Sequence, residues 1–248
     1  MPSNLVSWSF SSNSPVTATW MRQNITYSYN PGNFITPVHY PTVQCTLTFN
    51  IPEDMDPPVF FYYRLTNFYQ NHRRYVKSYQ SDQLKGTAVD NVTISNSACD
   101  PIRNDPTTGK PYYPCGLIAN SVFNDTFYDP VLLNPPDSRT NETYVMNSTS
   151  GISWDSDKSL YGPTSYLPDQ IIPPPNWQVR YPNNYTTDNP PPNLELDEAF
   201  QVWMRTAGLP TFSKLARRND TAPMKEGTYQ LLVNHSTYPN SRLMNFNS

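Results

Sequence analysis

The sequence predicts a mainly β fold, antiparallel and sandwich-like, with short helices and long proline-rich loops. Three observations carry that expectation. Aliphatic residues are few, and 18 Tyr, 11 Phe and 5 Trp supply core area instead; such side chains fit a pleated, half-buried surface better than a helix. The 27 prolines and 8 glycines break helices without reaching the composition of a linker or a collagen. Strict alternation of apolar and polar residues recurs along the chain, whereas helical periodicity is brief wherever it occurs. Charged residues make up 15% and the net charge is -3, so self-repulsion does not hold the chain open. A length of 248 residues suits one domain, residues 1–248.

The elements follow in order. Residues 1–40 are polar, carry turn signals such as Asn30-Pro31-Gly32, and predict short strands at most. Next, Cys45, Leu47 and Phe49 alternate with Thr46, Thr48 and Asn50, which predicts a strand. A proline-bounded acidic turn, IPEDMDPP, leads into VFFYYRL, where Val59, Phe61, Tyr63 and Leu65 share one face and Phe60, Tyr62 and Arg64 the other. We expect these two strands to pair with each other, and the second, aromatic on both faces, to be covered on both sides. In TNFYQNHRRYVKS the period changes: Phe68, His72, Tyr75 and Val76 fit a short helix or irregular turn. The runs NPPDS, IIPPPNW and DNPPPN within 128–195 predict extended surface segments, anchored by Trp154, Tyr161, Tyr166 and Trp177. Residues 199–218 fit either period. We expect a strand to about Arg205 and then a short helix opened by Pro210. A last strand, GTYQLLVN, alternates Tyr229, Leu231 and Val233.

Composition and motifs exclude several function classes. A mildly acidic chain offers no electrostatic footprint for nucleic acid, and Arg73, Arg74 and Lys77 are too few to reverse that. No GxSxG signature or glycine-rich phosphate loop occurs. His39, His72 and His235 are scattered and no CxxC occurs, so neither a metal nor any other cofactor is expected. Glu195, Asp197 and Glu198, or Asp155 and Asp157, form carboxylate pairs of the kind glycosidases use, but any exposed loop supplies such pairs. The cluster His72, Arg73 and Arg74 reads either as a phosphate site or as a structural network in which the arginines meet acidic residues or carbonyls.

Compartment markers conflict. No stretch approaches a membrane span, and MPSNLVSWSFSS is not a secretory signal. Yet Cys99 and Cys115 flank a turn-rich loop, DPIRNDPTTGKPYYP, that a disulfide would order; the alternative is two unrelated buried thiols. Sequons for N-linked glycans occur at Asn24, Asn91, Asn124, Asn141, Asn147, Asn184, Asn219 and Asn234. Together these favour a lumenal or extracellular domain, expected to be a piece of a longer membrane protein.

The blocks VFFYYRLTNFYQNHRRYVKSYQSDQLKG, CDPIRNDPTTGKPYYPCGLIANSVFNDTF, GISWDSDK and FQVWMRTAGLPTFSKLARR resemble the family of cell division control protein 50, also called ligand-effect modulator proteins. The likeness covers roughly residues 44–127, 151–158 and 198–235 and leaves 1–40 and most of 128–195 without a clear match; the tail 236–248 is divergent. It implies a glycosylated, disulfide-bonded ectodomain with an antiparallel β core, held by transmembrane helices absent from this chain. It also implies a non-catalytic β-subunit that stabilises a type IV P-type ATPase, escorts it from the endoplasmic reticulum and supports its phospholipid transport. The expected place is the lumenal or extracellular side of the endoplasmic reticulum, Golgi, endosomal or plasma membrane. The resemblance makes Cys99 and Cys115 a disulfide and Asn124 a glycan site, and matches Cys45 to a cysteine whose partner lies upstream, so that Cys45 is an unpaired thiol here. For contact with the ATPase, the expected residues are Asn67, Phe68, Tyr69, His72, Arg73 and Arg74 in one block and Trp203 and Arg205 in another. The competing expectation is a secreted β-rich carbohydrate-binding protein or glycoside hydrolase.

Overall fold

The computed structural model describes residues 18–29, 38–136 and 140–235. Its strands are β1 (Ala18–Tyr29), β2 (Val38–Ile51), β3 (Val59–Leu65), β4 (Thr126–Phe127), β5 (Val131–Leu133), β6 (Glu142–Thr143), β7 (Phe212–Asn219) and β8 (Gly227–His235). Its α-helices are α1 (Arg73–Val76), α2 (Ser81–Leu84), α3 (Asn91–Ser95), α4 (Leu117–Asn120), α5 (Asp155–Lys158) and α6 (Glu198–Met204). A six-stranded sheet runs β1-β2-β8-β5-β6, with β4 pairing a further stretch of β8, and β3 and β7 form a second, two-stranded sheet. All strand pairs are antiparallel.

The alternation predicted in β2 and β8 interlocks residue by residue. Cys45 lies opposite Val233, Leu47 opposite Leu231 and Phe49 opposite Tyr229, so both apolar sets fall on one face of the sheet. The Phe49 and Tyr229 rings stack at 5.9 Å. Onto this face pack Val59 and Phe61 of β3, with Leu132, Met146 and Met224. Further along β3, Tyr63 and Leu65 enter a second cluster built from α2, α4 and α6 and from loop residues such as Tyr166, Trp177 and Tyr185. One strand thus bridges two cores.

Several expectations fail, each for a physical reason. β2 and β3 do not pair. Met55 exchanges backbone hydrogen bonds of 2.8 and 2.9 Å with Met224, which sends the chain across to the second sheet, and Pro57 and Pro58 lack the donors to continue a ladder. Nor is β3 covered on both sides, since Phe60 and Tyr62 are 41% and 53% exposed. Residues 198–204 are helix and 212–219 strand, the reverse of the expected order. Asp197 caps the helix by accepting from the Phe200 N–H at 2.9 Å, and Phe200, Trp203 and Met204 share its buried face. Pro210 lies in the connection instead of opening a helix. The first described strand, β1, is 12 residues long where only short strands were expected. Ile171, Ile172, Pro173 and Pro174 are buried, so IIPPPNW is no surface segment. The turn at Asn30-Pro31-Gly32, the site of His39's side chain and the tail after residue 235 lie outside the described side chains.

The end of β8 carries a pH-dependent contact. His235 Nδ1 stands 2.9 Å from Asp125 Oδ1, and this hydrogen bond raises the imidazole pKa against the opposing effects of burial and of Arg22. A raised histidine pKa stabilises the fold fully below the unfolded value of about 6.5 and loses that contribution as pH rises through the folded value. His235→Gln is therefore expected to lower stability more at pH 5.5 than at pH 8.5 in urea titrations. An equal loss at both values would refute a charged contact.

Candidate partner-binding face

Asn67, at φ 57°, turns the chain at the end of β3; asparagine tolerates this left-handed conformation better than most residues. The turn lays residues 67–72 beside residues 203–210. The Phe68 N–H donates to the Pro210 carbonyl at 3.1 Å, and its ring packs against Trp203 (5.4 Å), Tyr75 (5.9 Å) and Phe212 (6.2 Å). Gln70 is fully buried: its Oε1 accepts from the Ala207 N–H at 2.9 Å and its Nε2 donates to the Trp203 carbonyl at 3.5 Å. A buried amide satisfied at both ends fixes the register between the two segments.

His72 then caps α1, its Nδ1 accepting from the Arg74 N–H at 3.3 Å. Arg74 pairs with Asp100, beside Cys99, and Arg103 reaches the same carboxylate at 3.5 Å. Of the two readings of the His72, Arg73 and Arg74 cluster, Arg74 follows the structural one, while the Arg73 and His72 side chains are exposed. The helix is held from beneath by Tyr75, whose hydroxyl lies 2.8 Å from Ser121 Oγ and whose pKa burial pushes up to about 12. The Cys99–Cys115 disulfide is formed, and its neighbours are bound by Gln83, which accepts from the Cys115 N–H at 2.8 Å and donates to the Tyr112 carbonyl at 3.0 Å.

The GISWDSDK block docks along α6. Burial pushes the Glu198 carboxyl up, but hydrogen bonds from the Ser153 N–H and the Lys158 ammonium together with backbone donors outweigh it and hold its pKa below the usual range. At the other end of α6, Arg205 Nη1 donates to both Asp157 oxygens at 3.2 and 2.9 Å, and its guanidinium sits 5.2 Å from the centre of the Trp154 ring. Lys214 is buried beneath, donating to the carbonyls of Val202, Trp203 and Arg205. Burial lowers its pKa to about 8. The ammonium closes the C-terminal end of α6 and fixes where Arg205 leaves it.

The surface so built exposes Tyr69 (59%), Trp154 (67%), Leu209 and Arg205. Tyr, Trp and Arg are the residue types that anchor protein interfaces. The structure thus sets the turn from Asn67 through Phe68, Tyr69 and Gln70 against residues 203–210, the segment that carries Arg205, while Arg74 turns to Asp100; Trp203 is no contact residue, since it is fully buried, its indole N–H donating to the Ile118 carbonyl at 2.9 Å. Trp154 and Leu209 were missed. Trp154, expected as an apolar anchor of the loops, is 67% exposed, and the signal for this lies in the acids that follow it in GISWDSDK, one of which, Asp157, is Arg205's partner.

Three of the five carboxylates of the hydrolase reading are tied into structural bonds. Glu198 is held ionised by the bonds above, Asp197 is a helix cap and Asp157 binds Arg205. A general acid needs the opposite shift. Among the described residues no group of three His, Cys, Asp or Glu could hold a metal ion, and no helix is long and apolar enough to cross a membrane.

Of the glycan sequons, Asn24, Asn91, Asn141, Asn147 and Asn184 are exposed, and Asn124 and Asn219 are half-buried. Asn234 is corrected: it is 2% exposed, its Nδ2 donates to Tyr128 Oη and its Oδ1 accepts from Gln44, both at 3.0 Å, leaving no room for a sugar. Cys45 is a free, buried thiol, and burial raises its pKa.

A β-rich, disulfide-braced domain that ties its acids into structural bonds and sets an arginine among exposed aromatic rings has the makings of a protein-binding module. The chain belongs to the LEM3 (ligand-effect modulator 3) family, also called the CDC50 family, whose model matches residues 17–243. It is 54% identical over 190 residues to the phospholipid-transporting ATPase accessory subunit CDC50 of Chaetomium thermophilum, covering 76% of this chain and 47% of that protein. It is 40% identical over 231 residues to the phospholipid-transporting ATPase accessory subunit CRF1 of Saccharomyces cerevisiae, covering 92% and 53%. It is 38% identical over 208 residues to cell cycle control protein 50A of Bos taurus, covering 79% and 55%. The chain spans about half the length of these relatives.

Proposed function

We propose that residues 1–248 form the ectodomain of a non-catalytic accessory subunit of a phospholipid-transporting, type IV P-type ATPase. The ectodomain faces the lumen or the cell exterior, grips the ATPase, and supports its stability, its exit from the endoplasmic reticulum and its lipid transport. The observation that carries this reading is the Tyr69, Arg205, Trp154 and Leu209 surface, rigid because Gln70, Lys214 and Asp157 each fix one part of it. The names of the relatives supply the class of partner. Asn67, His72 and Arg73 form its polar rim, and Phe68 supports it from below.

The test is co-purification of the full-length protein with its ATPase. Central Trp, Tyr and Arg residues of an interface each contribute about 2 kcal/mol or more. The double substitution Trp154→Ala, Arg205→Glu is therefore expected to abolish co-purification while the isolated protein keeps its cooperative unfolding. Val92→Ser, an exposed apolar residue elsewhere, is the control. Wild-type recovery of the ATPase with the double variant would overturn the placement of the interface. The carbohydrate-hydrolase alternative is not favoured, because Glu198 and Asp197 are spent on structure.

A further inference from the structure

One sequon stands beside an exposed pair of aromatic side chains. Asn147 makes an isolated antiparallel bridge with Arg218, its N–H donating to the Arg218 carbonyl at 2.7 Å and its carbonyl accepting from the Arg218 N–H at 2.9 Å. Arg218 in turn lies opposite Phe60 in the β3–β7 register. Directly opposed residues of antiparallel strands project from the same face. Asn147, Arg218 and Phe60 therefore form one row on the outer face of this small sheet, the face away from the core that Val59 and Phe61 enter. Two inter-strand steps separate Asn147 from Phe60, roughly 10 Å.

That outer face is open and carries two aromatic rings beside an arginine. Phe60 and Tyr62 lie next to each other, ring centres 6.2 Å apart, both substantially exposed. The Arg218 guanidinium sits 5.2 Å from the centre of the Phe60 ring and also donates to Asp220 and to the Gly151 carbonyl. At the other end of the row the Asn147 amide is oriented. Its Oδ1 accepts from the N–H groups of Thr149 (3.0 Å) and Ser150 (2.9 Å), which leaves Nδ2, the atom that bears a glycan, as the free edge of the amide. Asn91 and Asn219 differ, because their Nδ2 atoms donate to the carbonyls of Gly109 and Val145.

We propose that Asn147 carries an N-linked glycan whose first sugars lie across this row and cover Phe60 and Tyr62. A pyranose ring presents an apolar C–H face, which stacks on an aromatic ring, and a rim of hydroxyls, which Arg218 and Asp220 can bond. The glycan is then part of the fold: it removes an exposed aromatic strip from water. This inference rests on the lumenal or extracellular placement proposed above, since a sequon is modified there.

The experiment maps glycopeptides of the full-length protein from a eukaryotic host and then compares melting temperatures. Thr149→Ala destroys the sequon and keeps Asn147. In the wild-type background it is expected to lower Tm by about 2–4 °C. In a Phe60→Ser, Tyr62→Ser background it is expected to have no further effect, because the surface that the sugar covers is gone. An equal Tm loss in both backgrounds means that Thr149 acts only through its own turn, and overturns the proposal. An unmodified Asn147 in a protein glycosylated elsewhere also overturns it, leaving the accessory-subunit reading intact. A protein unmodified at every sequon overturns both the proposal and the lumenal placement.

Discussion

Truncating Trp203 to alanine is expected to lower the stability of the fold by about 3–5 kcal/mol, the range for removing a large aromatic from a packed core. The side chain is fully buried between Phe68 and Phe212, and its indole N–H is the hydrogen-bond partner of the Ile118 carbonyl. The variant loses apolar contacts and the shorter of the two hydrogen bonds to that carbonyl, the other coming from Ser121 Oγ at 3.2 Å, and the surrounding helices and loops are pinned too firmly to close the space. Urea unfolding followed by fluorescence measures the loss. A second consequence separates this site from an ordinary core position. Phe68 and Gln70 seat on the ring and on the backbone carbonyl of Trp203, so amide exchange should rise in residues 67–72 before it rises in β2 and β8. A loss below about 1 kcal/mol, or exchange that rises uniformly, would show that Trp203 does not organise the face above it.

The same residue shows where sequence reading stops. Alternation in Cys45, Leu47 and Phe49 and in Tyr229, Leu231 and Val233 located both strands, because a period of two has one structural meaning when one face is buried. It carried no information about partners, and β2 chose β8, some 180 residues downstream in register, over its sequence neighbour β3. In residues 199–205 the helical and strand patterns share Phe200 and Met204, so periodicity could not decide between them. Asp197 as a cap and Lys214 closing the far end decided it, and the second of these contacts exists only after β7 has folded back. Trp203 and Trp154 illustrate the same limit for the site. Both stand in blocks that mark the family, yet one is in the core and the other in solvent under Arg205. The aromatic and basic residues from Asn67 to Arg74 were legible as a group because their unpaired polar atoms needed partners. That Gln70 finds its partners at Trp203 and Ala207 was not legible, since nothing local encodes it.

Replacing Cys99 and Cys115 together by serine is expected to cost about 3 kcal/mol, the loop-closure contribution of a bridge spanning a sequence separation of 16. The effect should exceed that of a surface staple because both cysteines are buried in a cluster with Val89, Ile94, Tyr112 and Ile172, where serine hydroxyls replace sulfur. It should also reach the proposed partner-binding face. Asp100, adjacent to Cys99, holds Arg74, and Gln83 ties the Cys115 backbone to the chain leading out of α1, so a loosened loop releases α1 from one side. Reduction of the wild type with dithiothreitol should bring its unfolding midpoint down toward that of the double serine variant and leave the variant's own midpoint unmoved. Cys45→Ser supplies the contrast, since it buries a hydroxyl but cuts no bond, at about 1–2 kcal/mol. If Cys45→Ser destabilised the protein as much as loss of the 99–115 bridge, Cys45 would be covalently paired. If reduction left the wild-type midpoint in place, the order of residues 100–114 would come from the buried cluster and from Gln83, and the bridge would be incidental to it.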